Sequence, residues 1–134
     1  MAGNIRLEIV TPSTDVVNEE AQIVMAPGSL GEFGVLEGHT PFMTALKTGE
    51  VRYTDAGGQE RHVFVSSGFA EALPDKVTVL AESAERRRDI DVDRAQTALT
   101  RAEKRLAEGD NTLDVIRAKA ALARARMRVE MAKK

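Results

Sequence analysis

Two rows of arginine are the side chains best placed to do chemistry here. Arg94, Arg101 and Arg105 fall in one segment and Arg117, Arg124 and Arg128 in the next, at intervals of seven and four. Such intervals keep each row on one flank of an α-helix. A guanidinium presents forked donors that match phosphate and carboxylate oxygens, so two rows brought together form a site that a polyphosphate can bridge. The same pattern also describes a solvated helix face, with Glu103 and Asp114 supplying opposite charge nearby. Spacing alone leaves both readings open.

Candidates for covalent or acid–base chemistry are few. The only histidines, His39 and His62, have no Ser/His/Asp or His/Glu cluster around them at a recognisable spacing. His39, between Gly38 and Pro41, reads as a loop or packing residue, and His62 is expected to face solvent on a strand. The stretch Pro27-Gly28-Ser29-Leu30-Gly31-Glu32-Phe33-Gly34-Val35 is rich in glycine but lacks the Gly-Lys-Ser/Thr that ends a P-loop. No helix follows it, so it is expected to be loop and bulge. The absence of cysteine excludes disulfides and thiolate zinc sites. The residues thus point to no catalytic group and no metal site.

The elements that position these residues follow from punctuation. All four prolines and nine of the ten glycines precede Arg88, and only Gly109 lies beyond it. Glycine and proline mark turns, and their absence permits long helices. Charge divides at the same place: residues 1–88 hold 8 Lys+Arg against 13 Asp+Glu, and residues 89–134 hold 11 against 8. The boundary predicts two domains, 1–87 and 88–134.

In the first, Ile5–Ile9 alternates apolar and charged residues, the period of a strand with one face in a core. Further strands are expected at 21–26, 43–47, 50–54, 61–65, 69–72 and 77–81, with hairpin turns at Asp55-Ala56-Gly57-Gly58 and Leu73-Pro74-Asp75-Lys76. Many short strands without intervening helices point to a two-sheet sandwich or flattened barrel. In the second domain, Asp91 is placed to cap a helix. Val92, Ala95, Leu99, Ala102 and Leu106 form a heptad-like stripe. After Gly109-Asp110-Asn111, where Asn111 can cap the next helix, Leu113, Ile116, Ala120, Ala123 and Met127 repeat the spacing. An antiparallel two-helix hairpin results. Its seam is thin, because an alanine buries one methyl where a leucine is worth ~1.5–3 kcal/mol. Such a hairpin can open.

A net charge of −2 over 134 residues argues against a nucleic-acid binder. No apolar run approaches the roughly 18–20 residues of a membrane span. The opening Met1-Ala2-Gly3-Asn4-Ile5-Arg6 has no secretory or transit pattern, so membrane association is expected only through a partner.

Over essentially its full length the chain resembles the epsilon subunit family of bacterial F-type ATP synthases. The resemblance rests on Leu7-Glu8-Ile9-Val10-Thr11-Pro12, on Gly31-Glu32-Phe33-Gly34-Val35-Leu36-Glu37-Gly38-His39-Thr40-Pro41, on Ser67-Gly68-Phe69-Ala70 and on the hairpin that follows. Glu37 stands where proline is common in the family, and Thr40 where alanine is common.

The resemblance implies an all-β N-terminal sandwich of about ten strands followed by the two-helix hairpin, peripheral on the cytoplasmic face of the bacterial inner membrane. It implies partners: the gamma subunit, the c-ring, and the alpha and beta subunits of the catalytic head. Glu32 and His39 match the ring-facing loop. Ile90-Asp91-Val92-Asp93-Arg94-Ala95 matches the motif of members that bind ATP as a regulatory ligand, with Arg101, Arg124 and Arg128 at basic positions and Glu85 at an acidic one. No visible motif demands Mg. The implied role is a non-enzymatic rotor subunit that restrains ATP hydrolysis. The alternatives are a stand-alone nucleotide-sensing module and a helical-hairpin RNA-binding or chaperone-like protein. Four Phe, one Tyr and no Trp leave few platforms for stacking on RNA.

Overall fold

Alternation of apolar and polar residues becomes seven strands in the computed structural model, which describes residues 3–109 and 112–133. The strands are β1 Ile5–Val10, β2 Asp15–Gly28, β3 Gly31–Val35, β4 Phe42–Leu46, β5 Gly49–Asp55, β6 Glu60–Leu73 and β7 Lys76–Arg86. A 3₁₀ turn, Arg87–Asp89, leads to α1 Val92–Glu108 and α2 Thr112–Ala132. The chain divides into two compact units, Met1–Arg86 and Arg87–Lys134.

In the first unit the hydrogen-bonded order is β1-β7-β6-β4-β2-β3, with β5 bridging β2 and β6, and β1 also pairing with β2. Only the β1–β7 pair is parallel. Two of the long strands turn over midway. On β2 the core residues are Val17 and Ala21, then Val24 and Ala26; the change from odd to even falls at a bulge where Ala21 and Ile23 face Asp55 and Thr54. One extra residue flips the inward face, because side chains alternate with a period of two. On β6 the core residues are Val63 and Val65, then Ala70 and Ala72. Here the register with β7 is kept, and the flip is made by positive φ at Ser67 (35°) and Gly68 (132°). A Cβ on Gly68 would lie 2.0 Å from the Leu80 carbonyl oxygen, so only glycine fits. Turning over lets one strand line both layers of a single core.

That core holds Ile5, Leu7, Ile9, Val35, Leu46, Val51, Tyr53, Val77, Val79 and Ala81 beside the β2 and β6 residues. The ten strands implied by the resemblance are thus seven continuous ones among the described residues, since β2, β6 and β7 run for 14, 14 and 11 residues. Strands β2 and β6 change neighbours along their length, and β7 pairs with β6 throughout but with β1 only over 76–80. The Pro27–Val35 stretch also departs from expectation. Gly31–Val35 is a strand, registered from Val24↔Val35 to Gly28↔Gly31, and only Ser29 and Leu30 turn. Backbone pairing needs no side chain, so its glycines concealed the strand. The β5–β6 turn is set by Asp55, whose carboxylate accepts from Gly57 N (3.0 Å), Gln59 N (2.9 Å) and Arg61 Nε (3.0 Å). These bonds, the Gln59 amide foremost, hold the carboxyl below its ordinary pKa.

In the second unit α1 and α2 pack on each other. Asp91 caps α1, its Oδ1 accepting from Arg94 N at 3.0 Å, and Gly109 ends it in the left-handed conformation (φ 60°) with its N–H on Arg105 O. Of the expected α1 stripe Ala95 and Ala102 are buried, Leu99 and Leu106 half-buried, and Val92 exposed. The α2 stripe is wrong. Ile116, Ala120 and Ala123 are exposed, and Ala118, Ala125, Val129 and Met131 are buried instead. Apolar residues occupy nearly every side of α2, so more than one stripe can be drawn on it and packing selects among them. Asn111 and the side chains of Leu113 and Asp114 lie outside the described residues.

Candidate functional site

Among the described residues, three places gather candidate functional side chains. The first lies at β3 and the loop after it. Glu32, on β3, accepts from Arg52 Nη2 at 2.9 Å across β2. Arg52 Nε also lies 3.8 Å from Glu50 Oε1. The hydrogen bond to Glu32 is the main cause that raises the Arg52 pKa. The neighbouring Phe33 meets Phe42 edge-to-face at 5.1 Å, and Phe42 touches the His39 ring at 5.0 Å. His39 Nδ1 lies 2.6 Å from the Thr40 carbonyl oxygen. A carbonyl can only accept, so Nδ1 carries the proton. The loop is tied down by Gly38 N donating to Pro74 O (2.7 Å). His39 is thus braced by aromatic contacts in the loop after β3, while Glu32 stands on β3 beside Phe33 and meets Arg52 on the opposite face of the sheet.

The second place was not singled out from sequence. Met43, Phe69 and Leu80 are each more than half exposed, on the neighbouring strands β4, β6 and β7. Phe69 stands opposite Leu80 in the ladder, and with Met43, Ala70, Glu71 and Thr78 they line a depression of about 140 Å³. Isolated apolar residues on a surface are ordinary, whereas a contiguous group marks a contact face. The sequence signal was available: Phe69 and Leu80 are large apolar residues one step out of phase with the buried Ala70 and Val79.

The third place is the helical unit. Arg94 and Arg101 lie exposed on α1, while Arg124 and Arg128 are half-buried on α2. Among the described residues, the guanidinium groups of Arg94, Arg101 and Arg124 pair with no carboxylate, so Glu103 does not neutralise the α1 row. Ile90 and Ala95 are buried beside the exposed Asp91. The Asp91 carboxylate holds the first turn of α1. Glu85 belongs to β7 in the other unit, where it stands opposite Phe64.

Two polar arrangements correct or extend the sequence reading. His62 does not face solvent. Its side chain is 11% exposed, with Nε2 3.2 Å from Glu60 Oε1 and Nδ1 3.3 Å from Glu50 Oε1. Nδ1 makes no hydrogen bond in that contact. Tyr53 is buried, donates its hydroxyl to Glu19 Oε1 and accepts from Arg86 Nη1 at 3.1 Å. Burial first, then the Glu19 bond, pushes the phenol up to about 12. No sequence pattern joins positions 19, 53 and 86. Among the described residues there is no group of three or more Asp, Glu or His able to hold a metal ion, and no helix is long and apolar enough to cross a membrane.

Two family descriptions cover this architecture in order. Residues 4–87 match the beta-sandwich domain of the ATP synthase delta/epsilon chain, and residues 88–133 match its long alpha-helix domain. The chain belongs to the ATP synthase delta/epsilon family. An ATP synthase epsilon chain of Desulforapulum autotrophicum is 68% identical over 108 residues, covering 81% of this chain and 80% of that one. One from Geotalea uraniireducens is 46% identical over 132 residues, covering 96% and 95%. The fold matches, with a TM-score of 0.83 at 22% identity, a chain in the cryo-EM structure of Euglena gracilis mitochondrial ATP synthase, OSCP/F1/c-ring. That match covers 98% of this chain and 82% of the other. Membership in the delta/epsilon family makes the protein a non-catalytic subunit of ATP synthase. The stand-alone sensing and RNA-binding alternatives have no support among these relatives.

Proposed function

We propose that the sandwich is the rotor-docking part of this subunit and that the hairpin is an ATP-responsive brake on hydrolysis. The observation that carries the docking reading is the exposed Met43, Phe69 and Leu80 face. A central-stalk subunit must turn with its partner without slipping, and an apolar face on a rigid sheet supplies a non-directional attraction fixed in shape. Gamma is its occupant. Strand β3 and the loop after it, which carry Glu32 and His39, meet the polar loops of the c-ring at the cytoplasmic face of the bacterial inner membrane. Their exposed charges contribute only ~0–1 kcal/mol per pair, so braced shape carries much of that contact.

The brake rests on the arginine rows of the two helices, in which Arg94, Arg101 and Arg124 pair with no carboxylate among the described residues. ATP is held by Arg94 and Arg101 from α1 with Arg124 and Arg128 from α2. Ile90, Asp91 and Ala95 shape the helix start. Each charge-assisted contact to a phosphate is worth about 1.5–3 kcal/mol. A ligand that bridges both helices favours their packed form over an extended one by its difference in affinity for the two. When ATP is scarce the helices separate, extend along gamma and obstruct the alpha and beta subunits of the catalytic head.

Calorimetry on the full chain tests the ATP site. Binding at millimolar ATP that weakens on Arg94→Ala or Arg128→Ala is expected, and absence of heat returns the rows to a solvated face. Hydrolysis by the assembled enzyme tests the brake. Removing residues 88–134 should raise it while leaving assembly intact, and unchanged activity refutes inhibition by the hairpin. Phe69→Glu should release the subunit from gamma while leaving the sandwich folded.

A further inference from the structure

Glu32, the acidic residue of the proposed ring contact, already has a partner. Its Oε1 accepts from Arg52 Nη2 at 2.9 Å, and both side chains are more than a third exposed. A cationic group arriving at Glu32 must therefore meet Arg52 as well, and like charges at close range repel. Arg52 is not bound to Glu32 alone. Glu50 lies two residues back on β5, on the same face of the strand, with Oε1 3.8 Å from Arg52 Nε. The Glu50 side chain is only 11% exposed, so it sits where solvent screens least.

We propose that Arg52 is a specificity-determining residue for docking, which passes Glu32 to a basic loop of the partner by falling back on Glu50. The inference rests on the ring-docking reading and deepens it by naming the chemistry of the partner: a loop carrying a guanidinium or ammonium group. Before contact, Arg52 masks the Glu32 charge and keeps β3 from capturing cations indiscriminately. On contact, the incoming cation takes Glu32 and Arg52 closes the remaining gap to Glu50. Exchange between two carboxylates costs little, because the pair given up is exposed and screened, while the pair gained lies where solvent screens less. A neutral or acidic loop cannot draw Glu32 away, so the device selects by charge.

The test measures retention of the full chain, together with gamma, on c-rings reconstituted in vesicles at low ionic strength. Glu32→Gln should weaken retention, and Arg52→Gln should strengthen it about two- to fivefold by removing the competitor. Glu50→Gln should weaken it, because Arg52 loses its second carboxylate, and this loss should vanish in the Arg52→Gln, Glu50→Gln double variant. Arg52→Lys, which keeps the charge, should behave like the native chain, and Arg52→Met, which removes the charge but keeps the length, substitutes for Arg52→Gln if melting shows that variant misfolded. Raising salt to about 0.15 M should shrink every difference. If Arg52→Gln weakens retention as Glu32→Gln does, Arg52 merely props Glu32 and the exchange is refuted. Indifference to Glu50→Gln also refutes it. Indifference to Glu32→Gln in a chain that is still retained removes Glu32 from the contact and leaves docking through other residues standing. If the native chain is not retained at all, the docking reading itself falls.

Discussion

The two units bury different kinds of side chain. The sandwich core is mostly Ile, Leu, Val and Tyr with Ala21, Ala26, Ala70, Ala72 and Ala81 among them, while in the helical unit alanine predominates: Ala95, Ala102, Ala118 and Ala125 are buried with Ile90, Val129 and Met131. A buried Val, Leu or Ile is worth about 1.5–3 kcal/mol, and a single carbon about 0.8. The sandwich is also cross-linked by ladders between residues far apart in sequence, such as Leu7 with Val77 and Val51 with Val63. The helices satisfy their backbone internally and need only a local neighbour. One unit is thus fixed by many strong contacts, and the other is held by weak ones that a ligand can outweigh. The proposed docking body and the proposed brake would each need one side of that division.

The largest effect is expected in the sandwich, at the point where β6 turns over. Gly68→Ala places a methyl against the Leu80 carbonyl and strains a positive φ, so a loss of about 3 kcal/mol or more is expected in thermal or urea melting. A change below about 1 kcal/mol would mean that the strand can shift and that the core is less rigid than the comparison holds.

Next comes the buried polar bridge. Tyr53→Phe leaves Glu19 and Arg86 without their shared hydroxyl and should cost about 2 kcal/mol. The native chain should also lose stability as pH rises from 10.0, the ordinary phenol value, towards about 12. The sign follows from linkage: in that window the unfolded phenol has lost its proton while the folded one keeps it, so deprotonation favours unfolding. Tyr53→Phe should flatten that slope. An unchanged alkaline slope in the variant would assign it to other groups.

In the helical unit, Asp91→Ala removes the cap of α1 and should cost about 1 kcal/mol. The loss should appear as reduced helical circular dichroism while the sandwich melts as before. Coupled loss of both would show that the two units do not differ in independence. The smallest effect belongs to Ile116, which is 60% exposed. Ile116→Ala should change stability by less than about 0.5 kcal/mol. A loss of 2 kcal/mol would restore the seam that the spacing suggests and overturn the packing of α2.

Much of the architecture was legible in the residues. Alternation at Ile5–Val10 and Gly49–Asp55, the turn at Asp55-Ala56-Gly57-Gly58, the cap at Asp91 and the stop at Gly109 are all local physics. Each is decided by residues within a few positions of one another. The change in texture near Arg88 marked the two domains because glycine and proline act on the backbone wherever they stand.

Other features were settled only by tertiary structure. The strand at Gly31–Val35 exists because β2 offers it a ladder, and its glycines carry no signal of their own. His62 is half-buried because Glu50 and Glu60, ten residues apart, meet it from two strands. The face of α2 was undetermined by a helix that is apolar on nearly every side, and the Met43, Phe69 and Leu80 face appears only when β4, β6 and β7 lie together. Sequence by itself determined most of the elements and their order, β3 excepted, because periodicity, caps and turns act through neighbouring residues. Tertiary structure decided which faces touch and which charges meet, because those depend on strand register and helix rotation, to which residues distant along the chain contribute.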